Sequence, residues 1–542
     1  MRTGMRPVFD CVFTLLSAAS VAFLIAALGI FLIPLCGKGM KAVVFRGTVE
    51  FRKMQSDRFN RRNEATLQNE ILQTQQVRDE IYALVDHFSR GLDTQTLADQ
   101  AKDLYRKYGD ELRSRDLSRQ QFADLRAAAK DIRDHLLAAF DSTDKAVVEE
   151  HLDAIEGLRH QPGFEKTPVE TMFRLADDFR EMIQKVDLSR REEYAEELAA
   201  VNKELFALFG PRPGQQRVLA MESYGATRWD VAQKHLRYLI WQEKWVPSPD
   251  GQTLQKVLIR RDDPEKGSFA KTELAPLFGL IEKNLAAALN PRLTFYWQYF
   301  IDDSTPGHYF GGVGPELLGT LMLTLLAMCF AVPLGIISAA YLVEYAGDNL
   351  AVRMIRICIN TLAGVPSIVY GLFGLAFFVH YITKQPCILS ASLTLALLVL
   401  PVIIRAAEEA IRAVPQSYRE AAVGLGAGKF RTFATVTLPA AGPGILTGII
   451  LSVSRAAGET APILFAGAVA LGPVPNFTGK WWFQPTRALS YGCYDITVGD
   501  KLAAMVPHNQ FGMVMTLIIL VVCLNITAIL IRMRLSKKLR GG

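Results

Sequence analysis

Six long apolar runs constrain this chain of 542 residues more than any other feature of its sequence. Each run is longer than the roughly 18 residues that a helix needs to cross a bilayer. They predict an all-α polytopic membrane protein rather than a water-soluble one. The six predicted transmembrane helices cover residues 11–35, 317–343, 359–382, 386–404, 443–470 and 511–531.

The first run has an alternative interpretation as a cleaved signal peptide, because it follows Arg2 and Arg6. Its 25 apolar positions exceed the roughly 7–15 of a signal's apolar region. The segment IPLCGKGM that ends it also lacks a good small-residue cleavage site. We therefore expect residues 11–35 to be a retained helix behind a tail of residues 1–10.

The basic residues of the short loops predict the orientation, because cytoplasmic loops are enriched in Lys and Arg. Fourteen of these residues lie in the N-terminal tail and in residues 346–356, 405–431 and 532–542. The loops of the opposite side have only Lys384, Lys480, Arg487 and Lys501. We expect both termini in the cytoplasm of a bacterial cell and the chain in its inner membrane. The net charge of +6 then reflects topology and gives no indication of nucleic-acid binding.

The long polar stretch 36–310 is predicted to be an inserted periplasmic domain, ahead of a permease domain at 311–535 and a tail at 536–542. Apolar residues at helical spacing, among them Ile81, Val85 and Phe88, predict that the insert is mostly helical. The segment GPRPG at 210–214 ends one helix and is a candidate subdomain boundary. Beyond it, KWVPSPDGQTLQKVLIRR predicts strand, turn and strand, so the insert becomes α+β toward its end.

The histidines, cysteines and carboxylates of the sequence form no recognisable catalytic or metal-binding pattern. The histidines of the insert are scattered, and no CxxC pair or His-rich motif suggests a metal. Cys387 and Cys493 fall on the predicted outer side, where a disulfide is chemically allowed, and the sequence leaves their pairing open. We predict a chain that is not an enzyme and that holds no cofactor or metal of its own.

The loop after the fourth run carries a spaced motif, SYREAAVGLGAGKFRTFATVTLPAAGPGILTG. Its GLGAGKF portion is not a phosphate-binding P-loop, since Val423 and Phe430 stand where that motif needs Gly and Ser or Thr. The pattern EAA, three residues, Gly, nine residues and Val-x-Leu-Pro instead resembles the EAA loop of bacterial ABC importer permeases, expected here at 405–442. The resemblance implies that the loop docks on a cytoplasmic ATPase. Its coupling residues would be Glu420, Ala421, Ala422, Gly426, Leu438 and Pro439.

Three further stretches are similar to the PstA type of phosphate ABC-transporter permease. They are FGGVGPELLGTLMLT at 310–324, NTLAGVPSIVYGLFG at 360–374 and SRAAGETAPILF at 454–465. The resemblance covers roughly 296–535 and the first run, and the long insert departs from the compact family pattern. It implies a type I importer fold, a second phosphate permease subunit, an ATPase dimer that binds ATP and Mg²⁺, and a periplasmic phosphate-binding protein.

Two charges lie inside the fifth predicted helix, Arg455 and Glu459, one helical turn apart. Ionisable residues within a span usually face the bundle interior or a wet cavity. The spacing of Gly458 and Pro462 predicts a kink there, and together with Thr460 these residues form the hypothetical substrate path. In one hypothesis Arg455 and Glu459 only neutralise each other; in the other, Glu459 holds Arg455 until phosphate takes the contact.

Other functions are compatible with parts of the sequence. A permease for another oxyanion, such as sulfate or molybdate, would share the EAA loop, but the SRAAGETAPILF stretch disfavours it. A membrane-anchored sensor would need an output domain that the short basic C-terminal tail does not supply. A permease that also takes part in phosphate signalling through its insert stays open.

Overall fold

The structure is a computed structural model in which the chain forms two compact units. One consists of Met1–Phe45 with Thr294–Gly542, and the other is Arg46–Leu293, which is shorter at both ends than the predicted insert of 36–310. The described residues are 6–61, 64–115, 117–213, 223–247, 254–305, 308, 310–347, 349–470, 472, 474, 479–498 and 507–539.

Helices form most of both units. The first, α1 (Arg6–Met40), extends the predicted 11–35 at both ends. The inserted unit then contains α2 (Val49–Phe59), α3 (Glu64–Leu92), α4 (Thr94–Ser114), α5 (Arg119–Asp141), α6 (Lys145–Leu158), α7 (Pro168–Lys185), α8 (Arg191–Phe209), α9 (Trp229–Ile240) and α10 (Ala275–Leu289). Four strands accompany them: β1 (Val44–Gly47), β2 (Trp241–Pro247), β3 (Leu254–Arg260) and β4 (Arg292–Phe295).

The inserted unit has one continuous apolar core. Ile81, Val85 and Phe88 on α3 are buried in it, which confirms the predicted helical face. The same core includes residues on both sides of 210–214, such as Leu208 and Val231. The candidate subdomain boundary is therefore wrong: Gly210 ends α8 with a positive φ of 76°, but the chain returns to the same core after it.

The predicted strand, turn and strand near the end of the insert is confirmed in its two strands. β2 pairs antiparallel with β3, with Trp241 opposite Arg260 and Pro247 opposite Leu254. The predicted Pro-Asp-Gly turn lies outside the described residues. Strands β1 and β4 form a second two-stranded sheet.

The other unit continues with helices of the permease region. They are α11 (Gly314–Ala340), α12 (Leu350–Ala363), α13 (Ser367–Phe373), α14 (Ile388–Arg412), α15 (Gln416–Gly424), α16 (Lys429–Thr432), α17 (Leu438–Gly458), α18 (Ala461–Ala466), α19 (Leu489–Val498) and α20 (Pro507–Leu539). Wider π-helical turns extend α11 to Tyr345, α13 to Thr383 and join α16 to α17. Cys387 and Cys493 both have free thiols, so the disulfide left open by the sequence is not formed.

Five helical segments of the described chain are long and apolar enough to cross a membrane. They cover Val12–Met40, Gly314–Tyr345, Ile388–Arg412, Lys429–Gly458 and His508–Arg534. The predicted span at 359–382 is interrupted, because α12 and the extended α13 meet at a bend of 105°. The reason is local: Gly364 follows the last turn of α12, and Pro366 cannot continue that helix. The count is thus five spans, or six if the bent pair forms one.

Small residues let α14 and α17 pack closely. A Cβ added to Gly444 or Gly448 of α17 would lie 2.7 or 2.3 Å from the Cβ of Ala410 or Ala406 of α14. Close approach through glycine and alanine is typical of helices that associate within a bilayer. This contact fixes α17, which carries both the coupling loop at its start and the charged pair at its end.

Candidate transport site and coupling loop

The fifth predicted span is broken at the charged pair. α17 ends at Gly458, Glu459 has an extended backbone with φ −76° and ψ 133°, and α18 begins at Ala461. The prediction of one kinked helix over 443–470 is therefore wrong. Pro462 has no N–H for a continuing helix, and it lies instead in the first turn of α18, where proline is well tolerated.

The break is held from two sides by other helices of the same unit. Ser490 of α19 donates a hydrogen bond of 3.0 Å to the carbonyl oxygen of Glu459. On another side Gly371 of α13 lies so close that an added Cβ would stand 2.7 Å from the carbonyl oxygen of Ala461. Backbone freed from helical hydrogen bonds at membrane depth needs such protein partners. The break between α17 and α18 is thus stabilised by contacts with α19 and α13.

Arg455 and Glu459 contact each other across the end of α17. The Nε atom of Arg455 lies 3.4 Å from Oε1 of Glu459, and the side chains are 34% and 19% exposed. Within the described part of the chain, the two terminal amino groups of Arg455 have no hydrogen-bond partner. The pair therefore uses one edge of the guanidinium and leaves a two-donor fork, the geometry that binds carboxylate or phosphate oxygens bidentately.

Residues near the break include one that sequence reasoning missed, Tyr370 of α13. Its buried hydroxyl donates a hydrogen bond of 2.7 Å to the carbonyl oxygen of Leu362 on α12. This bond spans the bend between the two helices and ties their ends together. The predicted path residues are placed beside this bend: Thr460 precedes α18 and Pro462 is buried in its first turn.

The coupling loop forms two short helices around Gly426. α15 contains Glu420, Ala421 and Ala422, and α16 follows four residues after its last turn. Gly426 has φ +84°, and the N–H of Ala427 bonds the carbonyl of Ala422 at 3.1 Å. This arrangement is a Schellman helix end, in which glycine adopts the left-handed backbone at no steric cost.

The exposed tip of the loop is more apolar than the motif by itself indicates. Glu420 and Ala421 face solvent while Ala422 is buried. Leu425 is 91% exposed and Phe430 is 75% exposed, and neither was among the predicted coupling residues. The signal was present in the sequence, since both are large apolar residues next to a glycine turn. Leu438 and Pro439, which were predicted as coupling residues of the loop, are the first two residues of α17.

A further residue that sequence reasoning missed anchors this loop to the membrane helices. Arg419 of α15 donates a hydrogen bond of 2.7 Å to the carbonyl oxygen of Ile411 at the end of α14. Its Nε atom also lies 3.2 Å from Oε1 of Glu344, in the π-helical turn that extends α11. Arg419 therefore connects α15 to the ends of two spanning helices.

A buried polar cluster lies around the first turn of α11. Nη1 of Arg487 contacts Asp303 Oδ1 at 2.7 Å, Ser304 Oγ at 2.9 Å and Glu316 Oε1 at 3.6 Å. Ser304 also donates to Glu316 at 2.7 Å. Burial lowers the pKa of neighbouring His308 to about 4, so this imidazole is neutral near pH 7 and the cluster's cation is Arg487. Because these groups hold Nη1 and the carbonyl oxygen of Gly472 accepts a hydrogen bond of 3.1 Å from Nε, we assign the cluster a structural role.

Replacing Gly319 by alanine is expected to destabilise this cluster. The added Cβ would lie 2.0 Å from the carbonyl oxygen of Arg487, so α11 and the Arg487 backbone must separate, at a cost of about 1–3 kcal/mol. Thermal unfolding followed by size-exclusion chromatography of the purified chain measures the effect. Gly279→Ala is the control, because an added Cβ there meets nothing within 4 Å; equal melting temperatures for the two variants would contradict the close approach.

Comparison with known proteins agrees with these features. Residues 331–541 match the family described as binding-protein-dependent transport system inner membrane component. The phosphate transport system permease protein PstA 1 of Mycobacterium tuberculosis is 35% identical over 245 residues, covering 45% of this chain and 77% of that protein. PstA of Mycobacterium leprae is 34% identical over 49% of this chain and 86% of its own length.

More distant relatives give the same result. PstA of Xylella fastidiosa, strain Temecula1, is 31% identical over 41% of this chain and 76% of its own length. The spanning helices and the EAA loop define an inner membrane component of a transport system. Within that class, the chain belongs to the PstA family of phosphate transport system permease proteins.

Proposed function

We propose that this chain is the membrane permease subunit of an ATP-driven importer of inorganic phosphate. It forms half of the translocation path, as a multi-pass protein of the bacterial inner membrane with both termini in the cytoplasm. The inserted unit then lies in the periplasm. The basic residues of the short loops and the family of the chain support this arrangement.

The observation that carries the proposal is Arg455 at the break between α17 and α18. A half-exposed guanidinium within an apolar segment is costly unless it has a function, and its two terminal amino groups face no protein acceptor among the described residues. Phosphate offers several oxygens to such a fork. Glu459 holds the guanidinium through Nε at 3.4 Å and keeps it oriented when no anion is bound.

The work of ATP hydrolysis belongs to other subunits in this proposal. A cytoplasmic ATPase dimer, which binds ATP and Mg²⁺, docks on the EAA loop and moves α14 and α11 through Arg419. A second phosphate permease subunit completes the path, and a periplasmic phosphate-binding protein delivers the substrate. This chain performs no bond chemistry itself.

The proposal is tested by uptake of radiolabelled phosphate into cells that express the chain with its partner subunits. We expect uptake that depends on ATP and is competed by unlabelled phosphate but not by equal concentrations of sulfate or molybdate. Discrimination arises because a site can use the proton carried by phosphate at neutral pH as a donor that sulfate lacks. Competition by sulfate or molybdate at the same concentration as phosphate would assign the chain to another oxyanion.

A further inference from the structure

The inserted unit contains a cleft that the transport function does not use. It lies between α8, α9 and the β2–β3 hairpin and has a volume of about 800 Å³, within the roughly 300–1,000 Å³ range of small-molecule sites. Successive turns of α8 between Glu193 and Glu204 form one wall of the cleft. The end of α9 and Trp241 form the opposite wall. The dimensions suit a small organic molecule.

Most carboxylates of the cleft are already paired within the protein. Four of its five glutamates have a basic or imidazole partner, and Glu196 is the fifth. The hydrogen bond from Arg190 holds the pKa of Glu193 below its usual value, so this carboxylate is ionised and compensated. The four sets are Glu193 with Arg190 and Lys244, Glu197 with Arg261, Glu204 with His235, and Glu243 with Lys256.

The cations of the cleft are less completely paired than its carboxylates. Lys203 of α8 and Arg237 of α9 are exposed, and neither has a partner among the described residues. At the floor, Arg261 is 6% exposed and pairs with Glu197, yet its Nε has no hydrogen-bond partner. Nε of Arg261 is enclosed by protein atoms, so the N–H groups that the cleft offers to an anion are those of Lys203 and Arg237.

Two exposed aromatic side chains line the cleft beside these cationic side chains. Tyr238 of α9 is 52% exposed and Trp241 is 38% exposed, and both line the cavity together with Leu258. Exposed aromatic side chains stack on planar or sugar rings and are common in small-molecule sites. An inorganic ion would leave this apolar wall unused.

We propose that the cleft binds a small organic anion that carries a ring, such as a phosphate monoester of a nucleoside or a sugar. Lys203 and Arg237 contact the anionic group, and Tyr238 and Trp241 cover the ring. The site belongs to the inserted unit alone. Its existence does not depend on the proposed phosphate transport, so the two proposals fail separately.

The test is isothermal titration of the purified full chain in lipid nanodiscs, with Arg455→Ala introduced so that the proposed transport site does not contribute to phosphate binding. Adenosine 5′-monophosphate and glucose 6-phosphate are the two probes, with adenosine and inorganic phosphate as partial ligands that lack the anion or the ring. We expect one or both probes to bind with a Kd below about 1 mM, and each partial ligand at least about tenfold more weakly. Binding of neither probe, or equal binding of a partial ligand, would overturn the proposal.

Single substitutions locate the binding in the cleft. Arg237→Ala and Lys203→Ala, both of exposed side chains, are each expected to weaken binding of the probe about tenfold, because each removes a charge-assisted hydrogen bond. Arg174→Ala on α7 and Lys102→Ala on α4 are matched controls, since their side chains are 70% and 57% exposed and do not line the cleft. Equal weakening by the controls would show nonspecific attraction and overturn the site.

Discussion

Arg455→Ala is expected to lower the initial rate of phosphate uptake about a hundredfold. The substitution removes a charged two-donor fork, and losing two charge-assisted hydrogen bonds to an anion in a poorly hydrated segment costs about 3 kcal/mol. Arg455→Lys should recover only part of the rate, since an ammonium keeps the charge but cannot bind two oxygens in one plane. The measurement is uptake of radiolabelled phosphate at equal expression of each variant with the partner subunits present.

Glu459→Gln separates the two hypotheses about the charged pair. If Glu459 only neutralises Arg455, the neutral amide leaves an unpaired cation and lowers the amount of folded chain. If Glu459 holds Arg455 for the substrate, the folded amount stays normal and the uptake rate falls. Arg353→Ala on α12 is the control, as an exposed arginine remote from the break. Wild-type uptake by both Arg455→Ala and Glu459→Gln would reject a role in transport.

Placing an aspartate at the tip of the EAA loop is expected to abolish coupling to the ATPase. Leu425 and Phe430 are 91% and 75% exposed, and apolar side chains of this size at an interface centre commonly contribute about 2 kcal/mol or more to binding. Leu425→Asp or Phe430→Asp should therefore weaken association with the ATPase about thirtyfold or more. Copurification of the ATPase with tagged chain and the ATPase activity of the complex measure the loss.

The control for this experiment is an equally exposed leucine outside the loop. Leu72 of α3 is 61% exposed, and Leu72→Asp should leave copurification unchanged. Arg419→Ala distinguishes docking of the ATPase from transmission of its motion. It keeps the tip of the loop intact but removes the contacts to Ile411 and Glu344. We expect the ATPase to bind this variant while transport falls. Normal copurification of Leu425→Asp and Phe430→Asp together would place the docking surface elsewhere.

Local sequence signals predicted some elements well because the physics behind them is local. Apolar runs placed four spanning helices to within a few residues at most ends, and the Gly210 stop and the β2–β3 pair followed from helix-ending and strand signals. The EAA spacing placed a glycine at position 426, and its φ of +84° explains why glycine stands there. Boundaries were poorer where a helix continues beyond the apolar run, as α14 does to Arg412.

Breaks within apolar segments were harder to predict. The apolar runs predicted one span over 359–382 and a kink at Gly458 and Pro462, whereas helices end at Ala363 and at Gly458. The outcome depends on what satisfies the freed backbone groups, and those partners come from distant residues. Tyr370 bridges the first break, and Ser490 closes the second through the carbonyl of Glu459.

The sequence by itself determined that this chain is a membrane permease with an EAA-like pattern and an arginine inside an apolar run. Hydropathy, basic loops and motif spacing are properties of residues close together along the chain. Only the tertiary structure decided that α17 ends at Gly458, that Arg455 keeps two donors unpaired among the described residues, and that paired glutamates leave a cleft with unpaired cations in the insert. Each of these depends on contacts between residues far apart in sequence, because burial and hydrogen-bond partners are set when helices pack.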